Sequence, residues 1–135
     1  MKKRTKTALL VVAAVLLICI AGGMIAFQVI QRNLEGLKSA AIANVPMDQI
    51  PDGIYVGEYS VFPVSAQVSV TVKDHGIVSA LIWKHLNGQG SAGEAVVQRA
   101  VQANSLQVDT VAGATYSSKV LLKAMENALQ KGIAP

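Results

Sequence analysis

The longest hydrophobic run of the chain lies near its start, between Lys6 and Arg32. It holds 25 residues without a charge, and a helix needs about 20 apolar residues to cross a membrane. Most of the nearby positive charge precedes the run, so the positive-inside rule predicts a single transmembrane helix with a cytoplasmic N-terminus. A cleaved signal peptide is the alternative, although its apolar run is shorter and Met24-Ile25-Ala26 is a poor cleavage site.

Residues 32–51 are predicted to form a stalk between this anchor, residues 1–31, and a folded domain. Apolar residues from Leu34 to Val45 recur at three- and four-residue spacing, which is typical of a helix. Pro46 and Pro51 end that pattern. The folded domain is therefore predicted over residues 52–135, near the lower size limit for a domain without disulfides or metals.

Alternation of apolar and polar residues predicts an antiparallel sheet at the start of this domain. Apolar residues occupy every second position from Ala66 to Val72, the period of a half-buried strand. A turn over 74–76 joins this strand to a second one over 77–85. Residues 54–60 are predicted as an edge strand, which Pro63 separates from the next. A further short strand is predicted over 106–111.

Two segments with helical periodicity follow the sheet. The first runs from about Glu94 to Asn104, and the second covers 117–131. The polar residues of the second helix, Lys119, Lys123 and Glu126 among them, are predicted to be its solvated face. The resulting fold class is α+β, with an N-terminal transmembrane helix followed by a small antiparallel sheet packed against two helices.

The charge and the cysteine content exclude several classes of function. Four of the twelve basic residues fall within the first six positions, so the other eight balance the eight acidic residues. A neutral domain argues against nucleic-acid binding. Cys19 is the single cysteine, which excludes an intrachain disulfide, a CxxC zinc site and an iron–sulfur cluster. No metal site is predicted, and any redox chemistry needs an organic cofactor or a site without thiolates.

A glycine-rich loop precedes the first of the two helices. Residues 88–93 match the dinucleotide-binding pattern G-x-G-x-x-G. A dinucleotide fold is disfavoured, because the preceding strand belongs to a hairpin and too few residues remain for a doubly wound sheet. The loop is either a plain flexible connection or the border of a site for another ligand. Trp83 and Tyr116 are expected to pack in the core or in turns, and stacking on the ring of a bound cofactor is the alternative.

The start of the second helix carries small residues followed by hydroxyls. The stretch reads Asp109-Thr110-Val111-Ala112-Gly113-Ala114-Thr115-Tyr116-Ser117-Ser118. Hydroxyls and unpaired N–H groups at a helix N-terminus suit a phosphate. In the alternative interpretation Ser117 or Ser118 is only a helix N-cap, and Gly113 and Ala114 only shape the turn.

This stretch resembles the flavinylation motif of the FMN-binding domain family, D-x-x-(S/T)-G-A-T. The resemblance extends to residues 52–58, 70–77 and 124–129. In that family a flavin transferase joins FMN from FAD to the motif threonine through a phosphoester bond. The resemblance implies that Thr115 carries FMN, that Gly113 and Ala114 lie close to its phosphate, and that Asp109 is the motif acid.

The resemblance bears on four more residues. It implies that Ser117 and Ser118 contribute to the phosphate site. It also suggests His85 as a neighbour of the flavin that stabilises the reduced ring, although a plain boundary histidine is the alternative. Ala112 stands where the family usually has Ser or Thr, so one hydroxyl near the phosphate is missing.

Domains of this family occur in sodium-pumping NADH:quinone oxidoreductases, in ferredoxin:NAD oxidoreductase complexes and as small anchored proteins. The resemblance therefore implies a membrane-anchored extracytoplasmic flavoprotein that relays electrons between membrane or extracytoplasmic redox proteins. A FAD-dependent flavin transferase would mature it. The alternative is an anchored interaction or sensory module that binds FMN non-covalently or not at all. An independent enzyme is disfavoured, since the chain lacks a convincing acid–base or nucleophile set.

Overall fold

The computed structural model describes residues 2–86 and 91–133. It contains two compact units, Met1–Arg32 and Asn33–Pro135. Helix α1, Lys2–Ser39, fills the first unit and ends in the second. Its apolar side chains in the first unit are exposed, and the helix is long and apolar enough to be a membrane span or a signal anchor. The predicted apolar helix is confirmed, but its predicted continuation to Val45 stops at Ser39.

The second unit is built on a three-stranded antiparallel sheet. Its strands are β1 (Gly53–Val61), β2 (Val64–Lys73) and β3 (Gly76–Leu86), in the order β1-β2-β3. The two hairpins and the edge position of β1 confirm the prediction from the alternating pattern.

One face of the sheet lies under the helices, and the other is open. On the covered face Val68, Val70 and Val72 of β2 are fully buried. On the open face Trp83 is 69% exposed at an irregularity of β3, where its indole N–H donates to the Ser69 hydroxyl at 2.9 Å. The expectation that Trp83 packs in the core is therefore wrong.

Two helices cover the sheet, as predicted. Helix α2 spans Ala95–Ala103 and follows a 3₁₀ turn at Ser91–Glu94, and helix α3 spans Thr115–Ile133. The predicted strand over 106–111 is wrong, because these described residues form no regular element. Leu106 is buried and Val108 is partly buried, so their alternation reflects packing into the core without a partner strand.

Helix α3 lies directly against β1. A side chain at Gly57 would overlap the carbonyl of Ala124 and the backbone of Ala128. The helix presents these two alanines at the crossing, so glycine and alanine together allow the close approach. The ammonium of Lys131 donates to the Val56 carbonyl, and the Asn127 amide donates to the Glu58 carbonyl at 2.8 Å. Side chains of α3 therefore occupy two backbone carbonyls along the edge strand.

The polar side of α3 binds the segment that follows α1. Glu126 is 4% exposed and accepts hydrogen bonds from the Ala43 N–H and the Lys123 ammonium, each at 3.0 Å. The Lys119 ammonium donates to the Ala40 carbonyl at 2.7 Å. The prediction of a solvated face is thus wrong for these positions, because a neighbouring stretch of backbone covers them.

The residues predicted as a stalk also contribute to the hydrophobic core. Leu37, Val45 and Ile50 are buried and belong to the same cluster as the apolar residues of the sheet and of α3. The weak helical stripe in the sequence therefore marks a packed face, which lies partly on α1 and partly on the irregular stretch after it.

Candidate functional site

Thr115 is the first residue of α3 and is partly buried. Its hydroxyl takes part in no hydrogen bond within residues 2–86 and 91–133. The first N–H groups of a helix have no partner within that helix, and they give its N-terminus a partial positive charge. A phosphate ester on the Thr115 oxygen would therefore meet favourable charge and available donors. By this test the residues present fit an attached FMN phosphate.

A tight turn sets the direction from which the chain enters α3. The Ala114 N–H donates to the Val111 carbonyl at 3.0 Å, and Gly113 adopts a φ of 76°. Among the described residues, apart from its two neighbours in the chain, no heavy atom lies within 4 Å of the position that a Gly113 Cβ would occupy. Glycine is therefore favoured here by the backbone conformation rather than by lack of space. The close approach of Gly113 and Ala114 to a phosphate stays a prediction.

The two serines of the motif lie inside α3 and are buried. The Ser118 hydroxyl accepts a hydrogen bond from the Val111 N–H at 3.0 Å. The Ser117 side chain packs against Gly93, where an added Cβ would overlap it. Since α3 begins at Thr115, the interpretation of either serine as the helix N-cap is wrong. Their contact with a phosphate stays a prediction.

Asp109 is exposed at the beginning of the motif, and α2 holds its backbone. The Arg99 guanidinium donates from Nη1 to the carbonyl oxygens of Asp109 and Thr110, at 3.1 and 3.3 Å. An open groove of about 660 Å³ runs beside this contact. It is lined by Arg99, Gln102, Ala103, Gln107, Val108 and Asp109. The sequence reasoning missed Arg99, because it stands on the polar side of α2 and no motif marks it.

His85 lies at the end of β3, and its side chain is 2% exposed. Its Nδ1 lies 3.1 Å from Oε1 of Glu94, at the end of the 3₁₀ turn. Glu94 was not singled out from the sequence, since nothing in the spacing of the two residues indicates the contact. Whether His85 stabilises a reduced flavin stays a prediction.

The structure brings the two candidate sites of the sequence side by side. Gly93 ends the glycine-rich pattern, and it contacts Ser117 and Ser118 in the first turn of α3. Residues 88–90 of that pattern lie outside the described residues. The described part of the loop therefore borders the threonine motif, which favours the interpretation of the loop as the border of a ligand site. Tyr116 is partly buried against the core, as expected.

A family model with the description "FMN-binding domain" matches residues 64–130. The matched region begins with β2, includes His85 and the whole motif, and ends within α3. A search of curated proteins and a search of solved structures gave no match.

Proposed function

Through residues 64–130 the chain belongs to the FMN-binding domain family, with FMN as its cofactor, and from this we propose that it is an anchored electron carrier with FMN covalently attached to Thr115. In this proposal α1 is a retained membrane span, and the second unit lies outside the cytoplasm. The partners are redox proteins in the membrane or outside the cytoplasm.

The main support for the proposal is the position of the Thr115 hydroxyl and its lack of a hydrogen bond in the described part of the chain. This hydroxyl stands at the positive end of a 19-residue helix, and no group in the described part of the chain engages it. The other motif hydroxyl with a defined contact, that of Ser118, is fully buried and bonded to the Val111 N–H. Thr115 is therefore better suited than Ser118 to accept the flavin phosphate.

Attachment by a FAD-dependent flavin transferase needs FAD as its only co-reactant. The Thr115 oxygen forms a bond to the phosphorus on the flavin side of FAD, and the bond from that phosphorus to the bridging oxygen breaks. AMP leaves with that oxygen, and the threonine proton passes to the AMP phosphate. The product is heavier than the unmodified chain by FMN less one water.

When bound, FMN supplies the ability to take up and return electrons, and the chain supplies binding and orientation. Thr115 anchors the phosphate end, and the first turn of α3 stabilises its charge. The covered His85 side chain and Glu94 hold the end of β3 against the 3₁₀ turn that contacts α3. A covalent link keeps the cofactor on a domain that lies where lost flavin cannot be recovered.

Replacement of Thr115 by valine tests the attachment. Thr115→Val keeps the branched shape of the side chain and removes the oxygen. In cells that also express a flavin transferase, the wild-type chain should gain one FMN less water by intact mass, and Thr115→Val should remain unmodified and colourless after denaturation. Thr110→Val, at the other threonine of the motif, is the matched control and should be modified like the wild type.

Two results would contradict the proposal. One is flavin that stays on Thr115→Val through denaturation, because the link would then lie elsewhere. The other is a wild-type chain that is never modified in cells where another family domain is modified.

The exposed Trp83 on the open face of the sheet favours a second candidate, an anchored interaction or sensory module. That candidate predicts FMN that is lost on denaturation, or no FMN at all.

A further inference from the structure

The backbone of residues 109–111 is held by side chains from two different helices. From α2, Arg99 donates to the carbonyl oxygens of Asp109 and Thr110 at 3.1 and 3.3 Å. From α3, the Ser118 hydroxyl accepts the Val111 N–H at 3.0 Å. These residues belong to no strand or helix. The path of the motif therefore depends on these side chains.

Arg99 is well placed to fix the motif in space. Helix α2 is itself fixed, because Val96, Val97 and Ala100 are buried in the core. A planar guanidinium directs its donors in a set geometry, and a hydrogen bond from a charged donor is stronger than one from a neutral donor. In the described ranges Arg99 forms no ion pair, even with the adjacent Asp109 carboxylate. Its hydrogen bonds there go to the motif backbone.

We propose that Arg99 is a positioning residue for flavin transfer to Thr115. The inference rests on the proposed function, in which Thr115 is the acceptor. Arg99 holds the chain at Asp109, and the Gly113 turn leads it into α3. The Asp109 carboxylate and the Thr115 hydroxyl are thereby presented to the transferase in one arrangement. In group transfer a displacement of about 1 Å can lower the rate on the order of a hundredfold.

The test uses the full-length chain in detergent, purified without flavin, together with a purified transferase and FAD. Arg99→Met removes the donors and keeps a flexible, unbranched but shorter side chain, and Arg99→Lys keeps a cationic donor. Gln102→Met is the matched control, because Gln102 lies on the same helix and lines the same groove but forms no described bond to the motif. Intact mass against time gives the transfer rate, and melting temperature reports the fold.

For Arg99→Met we expect kcat/KM for the acceptor chain to fall on the order of tenfold or more. The KM for FAD should not change, because FAD binds to the transferase. Arg99→Lys should recover part of the rate, because it keeps a cationic donor but lacks the planar geometry, and Gln102→Met should match the wild type. The melting temperatures should stay close together, since Arg99 is exposed. Ser118→Ala, which removes the bond to Val111 from the α3 side, should also slow the transfer.

Arg99→Met modified at the wild-type rate would overturn the inference and leave the proposed function intact. Equal slowing in Arg99→Met and Gln102→Met would also overturn it, because the groove as a whole would then be responsible. So would slowing that follows a lowered melting temperature and is not relieved in Arg99→Lys, since that indicates a purely structural role. If the wild-type chain is never modified while another family domain is, the proposed function fails and this inference fails with it.

Discussion

At Gly113 a single backbone angle decides which residue the motif tolerates. Its φ of 76° lies in the left-handed region, where a side chain costs about 1–2 kcal/mol. Gly113→Ala should therefore lower the free energy of unfolding by about that amount, although the space beside Gly113 is open. It should also slow flavin transfer, because relaxation of the turn moves Thr115.

Chemical denaturation and the transfer rate measure both effects. Ala112→Ser is the control in the same turn, and it restores the hydroxyl that the family usually has at this position. Because Ala112 is exposed, this variant should leave the stability unchanged, and transfer should be equal to the wild type or faster. Equal stability of Gly113→Ala and the wild type would show that the turn relaxes without cost.

Among the glycines of the described residues, Gly57 at the crossing of α3 and β1 leaves the least room for a side chain. A Gly57 side chain would overlap the Ala124 carbonyl, and inserting a methylene into a packed contact typically costs about 1–3 kcal/mol. Gly57→Ala should destabilise the domain by at least that amount in chemical denaturation. Gly76→Ala is a control in the same sheet, where the nearest atom to an added Cβ lies 3.4 Å away, and its effect should stay within about 0.5 kcal/mol. Equal effects of the two variants would contradict the close packing at Gly57.

The elements with one covered face were predictable from sequence. Strand β2 shows period two because its apolar residues face α3 and its alternate residues mostly face outward. The same alternation at residues 106–111 led to a wrong prediction, since Leu106 packs into the core and its segment has no partner strand among the described residues. Lys119 and Glu126 were predicted to be solvated, because the sequence of polar residues does not indicate that neighbouring backbone covers them.

The candidate site was predictable in its local part only. Residues 109–115 are contiguous, so their resemblance to the motif was visible, and the short-range turn before Thr115 follows from Gly113. The contacts of Arg99 with Asp109 and of His85 with Glu94 join separate elements of the fold. Such pairings depend on how the elements pack, which the spacing of the residues along the chain does not encode.

On the scale of the whole molecule, the second unit should be separable from the first. Without residues 1–31 the chain keeps the compact unit that begins at Asn33, and we expect a soluble, monomeric domain. Removal of residues 1–51 also deletes Leu37, Val45 and Ile50 from the core. Burial of each such side chain contributes about 1.5–3 kcal/mol to stability. The free energy of unfolding of a whole domain is only about 5–15 kcal/mol.

The shorter fragment should therefore unfold at a much lower temperature or fail to fold. Thermal melting followed by circular dichroism, with size-exclusion chromatography, compares the two fragments. Similar melting temperatures would show that residues 32–51 contribute little to stability. Aggregation of the longer fragment would show that the apolar part of α1 belongs to the fold.

The bonds from Lys131 and Asn127 to the edge of β1 affect how copies of this protein behave at high concentration. Sheets grow from one molecule to the next when an incoming extended chain bonds to free groups on an edge strand. At the Val56 and Glu58 carbonyls such a chain would first have to displace two side chains of α3. The two covered carbonyls therefore make this part of β1 a poor template for polymerisation.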